Sequence, residues 1–142
     1  MFDTNILIYH LNDCFGDKAE QLLEKAFESG AYISVITRIE VLGWTEHTIA
    51  SLTSAEDLLK RINEQPLNDE IVKLCIQLRQ TLPLKVPDAI IAATALYLEM
   101  PLMTRNTKDF QKVPNLKLFN PFEESSNKKL ASPSQEMSDR QA

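Results

Sequence analysis

Glycine is scarce in this sequence, with three in 142 residues. That is too few for a sandwich or barrel built on many tight turns, and it suits a helix-rich chain. Cysteine is scarce as well. Cys14 and Cys75 stand alone, with no CxxC pair and no histidine at zinc spacing, so neither a disulfide framework nor a structural zinc site is written in the chain. Both thiols are expected to be ordinary and half-buried. No apolar run approaches the ~20 residues that a membrane-spanning helix needs. The opening MFDTNILIYHLND lacks a basic leader and a small-residue cleavage site. The chain therefore reads as cytoplasmic, with no membrane partner. Positive charge is not in excess either: the formal net charge is −5. Taken alone, this speaks against a general nucleic-acid coat, because a basic surface supplies most of its affinity. A nuclease is not excluded, since its carboxylates are neutralised by bound cations.

What is present is enough apolar material for one core: 44% hydrophobic and 25% charged residues. Phe2 and Asp3 read as the end of a very short strand, with Thr4 or Asn5 capping the helix that follows. From Lys18 to Glu28, Ala19, Leu22, Leu23, Ala26 and Phe27 recur at helical spacing, and Ser29-Gly30 ends that helix. Residues 31–34 form a β-prone run and 37–44 a helix. Residues 46–62 read as helix in one or two pieces broken near Ser51–Ser54. Pro66-Leu67-Asn68 marks a turn, with Asn68 capping a helix through Leu78. Asp88 opens a helix apolar on nearly every side, as a helix buried against a sheet reads. Short strands are expected at 101–104 and 116–119, around a helical turn at 106–110. The fold class is thus α/β, a small parallel sheet flanked by helices. This domain spans 1–122. The remainder, EESSNKKLASPSQEMSDRQA at 123–142, is nearly empty of large apolar residues and is expected to be a disordered tail.

In open α/β sheets, ligands gather at the carboxyl ends of the strands. Asp3 ends the first strand, Glu40 lies in the helix after the second, Asp88 opens a helix, and Asn106 and Asp109 follow a later strand. Acids from distant segments are thus expected along one edge. Carboxylates a few ångströms apart raise each other's pKa unless a cation sits among them. Oxygen ligands suit Mg²⁺ or Mn²⁺, and such ions activate water and hold phosphate. Each residue also has a plainer reading. Asp3 would cap a helix, Glu40 would be a solvated face residue, Asp88 would complement a helix dipole, and Asn106 and Asp109 would be turn residues. Arg38, Lys85, Arg105, Lys108 and Lys112 near the same edge are candidates to hold phosphates. Trp44 and Tyr32 would stack on bases or, more simply, pack in the core or on a partner.

The segments FDTNILIYHL, VITRIEVLGW, VPDAIIAATAL and PLMTRNTKDF resemble, in order and spacing, the four signature regions of PIN-domain proteins. Among these, the VapC-type toxins of bacterial toxin–antitoxin pairs look most similar. The resemblance runs from Met1 to about Phe122. It implies a PIN-like three-layer fold and a metal-dependent endoribonuclease with Asp3, Glu40 and Asp88 as Mg²⁺ or Mn²⁺ ligands. Asn106 stands where many relatives have Asp, with Asp109 one helical turn on, so either residue would complete the site. Thr4, Asn5 and Thr104 would support it. The resemblance further implies an RNA substrate such as a transfer RNA, a cognate antitoxin and a homodimer. A non-catalytic PIN-type module that binds RNA or protein without cutting is the alternative. An aspartyl-phosphate enzyme does not fit, because its second Asp would stand at position 5, which is Asn.

Overall fold

The computed structural model describes residues 1–122, and the expected disordered tail at 123–142 lies outside the described residues. The elements run α1 (Thr4–Leu11), α2 (Asp17–Glu28), β1 (Tyr32–Ser34), α3 (Val35–Leu42), α4 (Ile49–Leu59), β2 (Asn63–Gln65), α5 (Asp69–Thr81), α6 (Val86–Leu98), β3 (Leu102–Met103), α7 (Thr107–Phe110) and β4 (Leu118–Phe119). β1 pairs with β2 and β3 with β4, both in parallel. Residues 1–3 join the two pairs. Phe2 bridges Met103 in parallel, and its N–H donates to the Tyr32 carbonyl at 3.0 Å. Met103 N–H donates to the Met1 carbonyl and Asp3 N–H to the Met103 carbonyl, at 2.8 and 2.9 Å. The extended segments therefore stand in the order β2, β1, residues 1–3, β3, β4, with the N-terminal segment in the centre.

Such short strands suffice because side chains alternate across a pleated sheet. Met1, Tyr32, Leu102 and Leu118 face a core made with α5, α6 and α7, including Ile71, Leu78, Ile91 and Phe110. Phe2, Ile33 and Met103 face the opposite core, made with α1 to α4, including Leu7, Leu23, Val41 and Leu58. The result is helices, sheet, helices, the expected three-layer α/β arrangement.

Several local expectations need correction. Asp3 itself, not Thr4 or Asn5, caps α1: its backbone is extended and its carboxylate accepts the Thr4 N–H at 2.8 Å. α3 begins at Val35, because the Ser34 hydroxyl accepts the Ile36 N–H and starts the helix two residues earlier than position 37. α4 runs unbroken through Ser51–Ser54. A capping box between Thr48 and Ser51 turns the first of those serines into a helix start signal. α6 starts at Val86, before Asp88, since Pro87 is well placed in a first turn. β2 was not anticipated. Its sequence, Asn-Glu-Gln, has no apolar alternation because it lies at the outer edge of the sheet. Asn68 does cap α5, accepting the Ile71 N–H at 2.8 Å. Cys75 is half-buried, but Cys14 is exposed.

Phe2 is 1% exposed in the central segment and meets Phe27 edge-on at 5.5 Å. Truncation to Phe2→Ala is expected to cost about 3–5 kcal/mol, read from urea unfolding. A loss under about 1 kcal/mol would contradict the central placement of this segment, given that surface substitutions fall in that range.

Candidate functional site

Each functional side chain leaves the same edge of the sheet because each follows the carboxyl end of an extended segment or opens a helix. Asp3 closes the central segment and is buried. One carboxylate oxygen accepts the Thr4 N–H, and the other accepts the Thr104 hydroxyl at 2.7 Å. Thr104 follows β3 and is fully buried. Its oxygen also accepts the Asn106 N–H at 2.9 Å. Glu40, exposed on α3, accepts the Thr4 hydroxyl at 2.6 Å, and Thr4 is in turn 2.9 Å from the buried Thr37 hydroxyl. Two hydroxyl relays, Thr37–Thr4 and Thr104, thus orient two carboxylates. Thr37 was not among the sequence candidates. It lies one turn before Glu40 on α3, and that i, i+3 spacing was the available signal.

The acids interact. Burial pushes Asp3 up to about 6, against the pull of its hydrogen bonds from Thr104 and Thr4, and repulsion from Asp88 and Glu40 adds to the rise. Asp88, half-buried in the first turn of α6, is also raised, by burial first and then by Asp109 and Glu40; Lys85 acts in the opposite direction. Asp3, Glu40, Asp88 and Asp109 therefore share one electrostatic neighbourhood. Asn106 does not add a charge, but its amide donates to the Asp109 carboxylate at 3.1 Å and holds it.

Among the described residues, no Lys or Arg forms an ion pair with these four acids, and no group of three or more His, Cys, Asp or Glu side chains is drawn together around one metal position. The donor set still fits a hard divalent cation. Carboxylate oxygens are the donors that Mg²⁺ or Mn²⁺ takes, alongside several retained waters.

Two of the basic candidates do other work. Arg38 grips Glu64 on β2 with two bonds, 2.6 and 3.1 Å, across the edge of the sheet. Arg105 lies over the rings of Tyr9 at 4.8 Å and Phe122 at 4.3 Å. Neither is placed as an open phosphate clamp. Lys108 and Lys112 are exposed, as is Lys85 beside Asp88. Tyr32 packs against the core. Trp44 is not a core residue: it is 54% exposed and lines a groove of about 560 Å³ with Ile8, Leu11, Glu40, Val41 and His47. Among the described residues, no helix is long and apolar enough to cross a membrane.

A family model for the PIN domain matches residues 1–116. Among solved structures, the chain resembles a toxin–antitoxin complex from Klebsiella pneumoniae at 34% identity and TM-score 0.66, over 84% of this chain and 95% of that one. It resembles VapBC-1 from nontypeable Haemophilus influenzae at 27% identity and TM-score 0.74, over 86% and 97%. VapBC2 from Rickettsia felis, bound to a promoter DNA fragment, follows at 25% identity and TM-score 0.75, over 84% and 96%. No curated protein matches the sequence significantly.

The raised Asp3 carboxyl has a consequence for stability. Between the ordinary value of 3.8 and about 6 the folded chain holds a proton that the unfolded chain has released. Stability therefore falls as pH rises through that window. In EDTA this group is expected to remove up to about 3 kcal/mol between pH 4 and pH 7. Asp3→Asn should flatten that slope in urea unfolding across the same range. An unchanged slope would mean that Asp3 is not buried as a charge.

Proposed function

The chain belongs to the PIN-domain family, and on that premise we propose that it is a Mg²⁺- or Mn²⁺-dependent endoribonuclease, the toxin of a toxin–antitoxin pair. One observation carries the reading: Asp3, Glu40 and Asp88 repel one another at a single edge, with no basic side chain of the described residues paired to them. These three residues would hold the ion. When bound, the divalent cation polarises a water for attack on a phosphodiester and offsets charge on the phosphate.

The chain's own groups do the positioning. Thr104 and the Thr4 N–H fix both oxygens of Asp3, and the Thr4 hydroxyl fixes Glu40. We assign the fourth acidic position to Asp109, which acts electrostatically on Asp88, and give Asn106 the role of orienting it. Lys85, Lys108 and Lys112 would hold flanking phosphates, contacts that set register but read no sequence. A single-stranded or looped RNA such as a transfer RNA is the substrate class. A cognate antitoxin is the partner, in keeping with the toxin–antitoxin complexes that the chain resembles. The protein would act in the cytoplasm as a homodimer.

The alternative is an interaction module that keeps the fold without cutting, favoured by the neutral Asn106 at the fourth position. Cleavage of single-stranded RNA by the purified chain separates the two. EDTA is expected to abolish cleavage. Asp3→Asn, Glu40→Gln and Asp88→Asn should each lower it at least about 100-fold, and Asp109→Asn or Asn106→Ala about 10- to 100-fold, with circular dichroism unchanged. Mg²⁺ should raise the thermal midpoint of the wild type at pH 8 and leave that of Asp3→Asn unmoved. RNA cutting that persists in EDTA, or in Asp3→Asn, sinks the metal-nuclease reading.

A further inference from the structure

The groove beside the carboxylates holds one residue that the cleavage chemistry leaves unused. Trp44 is the sole tryptophan of the chain, and although half of it is exposed it is not loose. α3 ends at Gly43, where a Cβ would come within 2.5 Å of the Ile39 carbonyl oxygen. A glycine is what lets the chain leave the helix there and deliver the next side chain to the groove. His47 then packs edge-on to the indole, with centroids 5.2 Å apart at 82°. Both of its ring nitrogens are engaged, one with the Ser51 hydroxyl and one with the Val41 carbonyl, each at 2.8 Å. His47 is therefore a brace for Trp44 rather than a group free to bind a ligand.

The groove is continuous with the acidic edge, because Glu40 belongs to both. Its volume of about 560 Å³ lies within the range of ligand clefts, about 300–1,000 Å³. Ile8, Leu11 and Val41 give it apolar walls, Asn12 and Ser54 add polar atoms, and among the described residues no Lys or Arg lines it. A phosphate has no counter-charge in such a place. A flat, uncharged ring with a polar edge does match it. We infer that Trp44 is the stacking platform for one unpaired nucleobase adjoining the scissile phosphate, the phosphate lying at the carboxylates and the base in the groove. This rests on the nuclease reading and adds to it a residue that selects unpaired strands.

The test uses the full-length chain and single-stranded RNA oligonucleotides that differ only by an abasic nucleotide at each position flanking the cleaved bond. Stacking of a base on an aromatic side chain is worth about 5- to 150-fold in binding. The wild type is therefore expected to show a KM at least about ten-fold higher for one of the abasic substrates, with kcat little changed. Trp44→Ala should treat that substrate and the intact RNA alike, and Trp44→Phe should keep most of the discrimination. A second readout needs no cleavage: in Asp3→Asn, intact RNA should quench the fluorescence of Trp44 and the abasic RNA should not. Equal KM for intact and abasic RNA in the wild type overturns the stacking role and leaves the nuclease standing. Quenching by RNA that the wild type never cuts overturns the nuclease reading and, with it, the placing of the base beside a scissile phosphate. A fluorescence response to a partner protein or to a second copy of the chain, with none to RNA, assigns the groove to a protein and overturns the inference.

Discussion

The fold and the site meet in one buried carboxylate. Asp3 ends the central extended segment through its backbone N–H, caps α1 with one side-chain oxygen, and accepts the Thr104 hydroxyl with the other. Sheet, helix and site geometry are therefore set by the same residue. A helix cap contributes about 0.5–2 kcal/mol, yet here the capping group is buried among other acids, and its charge is disfavoured. The two effects oppose each other, and the rise to about 6 shows that desolvation wins over two hydrogen bonds. A residue chosen for stability alone would be Ser or Thr, which caps without charge, as Ser34 and Thr48 do at α3 and α4. The charge at position 3 costs stability, so it answers to something other than folding.

The overall negative charge follows from the same arrangement and does not argue against an RNA substrate. The acids at the edge are what a divalent cation would neutralise in part, leaving less repulsion where a phosphate would approach. The two arginines nearest in sequence to the site residues are committed elsewhere. Arg38 ties the helix after β1 to β2, and Arg105 ties the strand end at β3 to the rings of Tyr9 and Phe122. Both act on elements that carry site residues, Glu40 on α3 and Thr104 beside Arg105, so they serve the site through its scaffold. On the proposed reading, what the chain would offer to RNA is the edge and the groove, with exposed lysines at the margin.

Much of this was legible in the sequence, because the signals concerned were local. Helical spacing marked α2 and α5, Asn68 and Gly30 marked their limits, and the placement of acids after strands marked the edge. The signals that failed were those that depend on tertiary partners. β2 carries no alternation because an edge strand at the end of a sheet buries little, and its polar residues pair with β1 through the backbone alone. Arg38 and Arg105 read as open cations because their partners, Glu64 and the Tyr9 and Phe122 rings, are distant in sequence. Asp3 looked like either a cap or a site acid. The two readings were set against each other, but a carboxylate has two oxygens: one caps α1 and the other accepts the Thr104 hydroxyl at the sheet edge.

Gly43 shows how backbone constraint and chemistry are coupled beyond the acids. A close approach to the Ile39 carbonyl disfavours a side chain at position 43, the residue just past the end of α3. The effect is positional. α3 carries Glu40 toward the carboxylates and then stops so that Trp44 opens onto the same groove, braced by His47. Local constraint is visible at both ends of this short path: at Asp3, where a charge is buried, and at Gly43, where a side chain would meet backbone. Glu40 and Trp44, on either side of Gly43, line the groove. That is the pattern expected where a sequence departs from local consistency for the sake of a site.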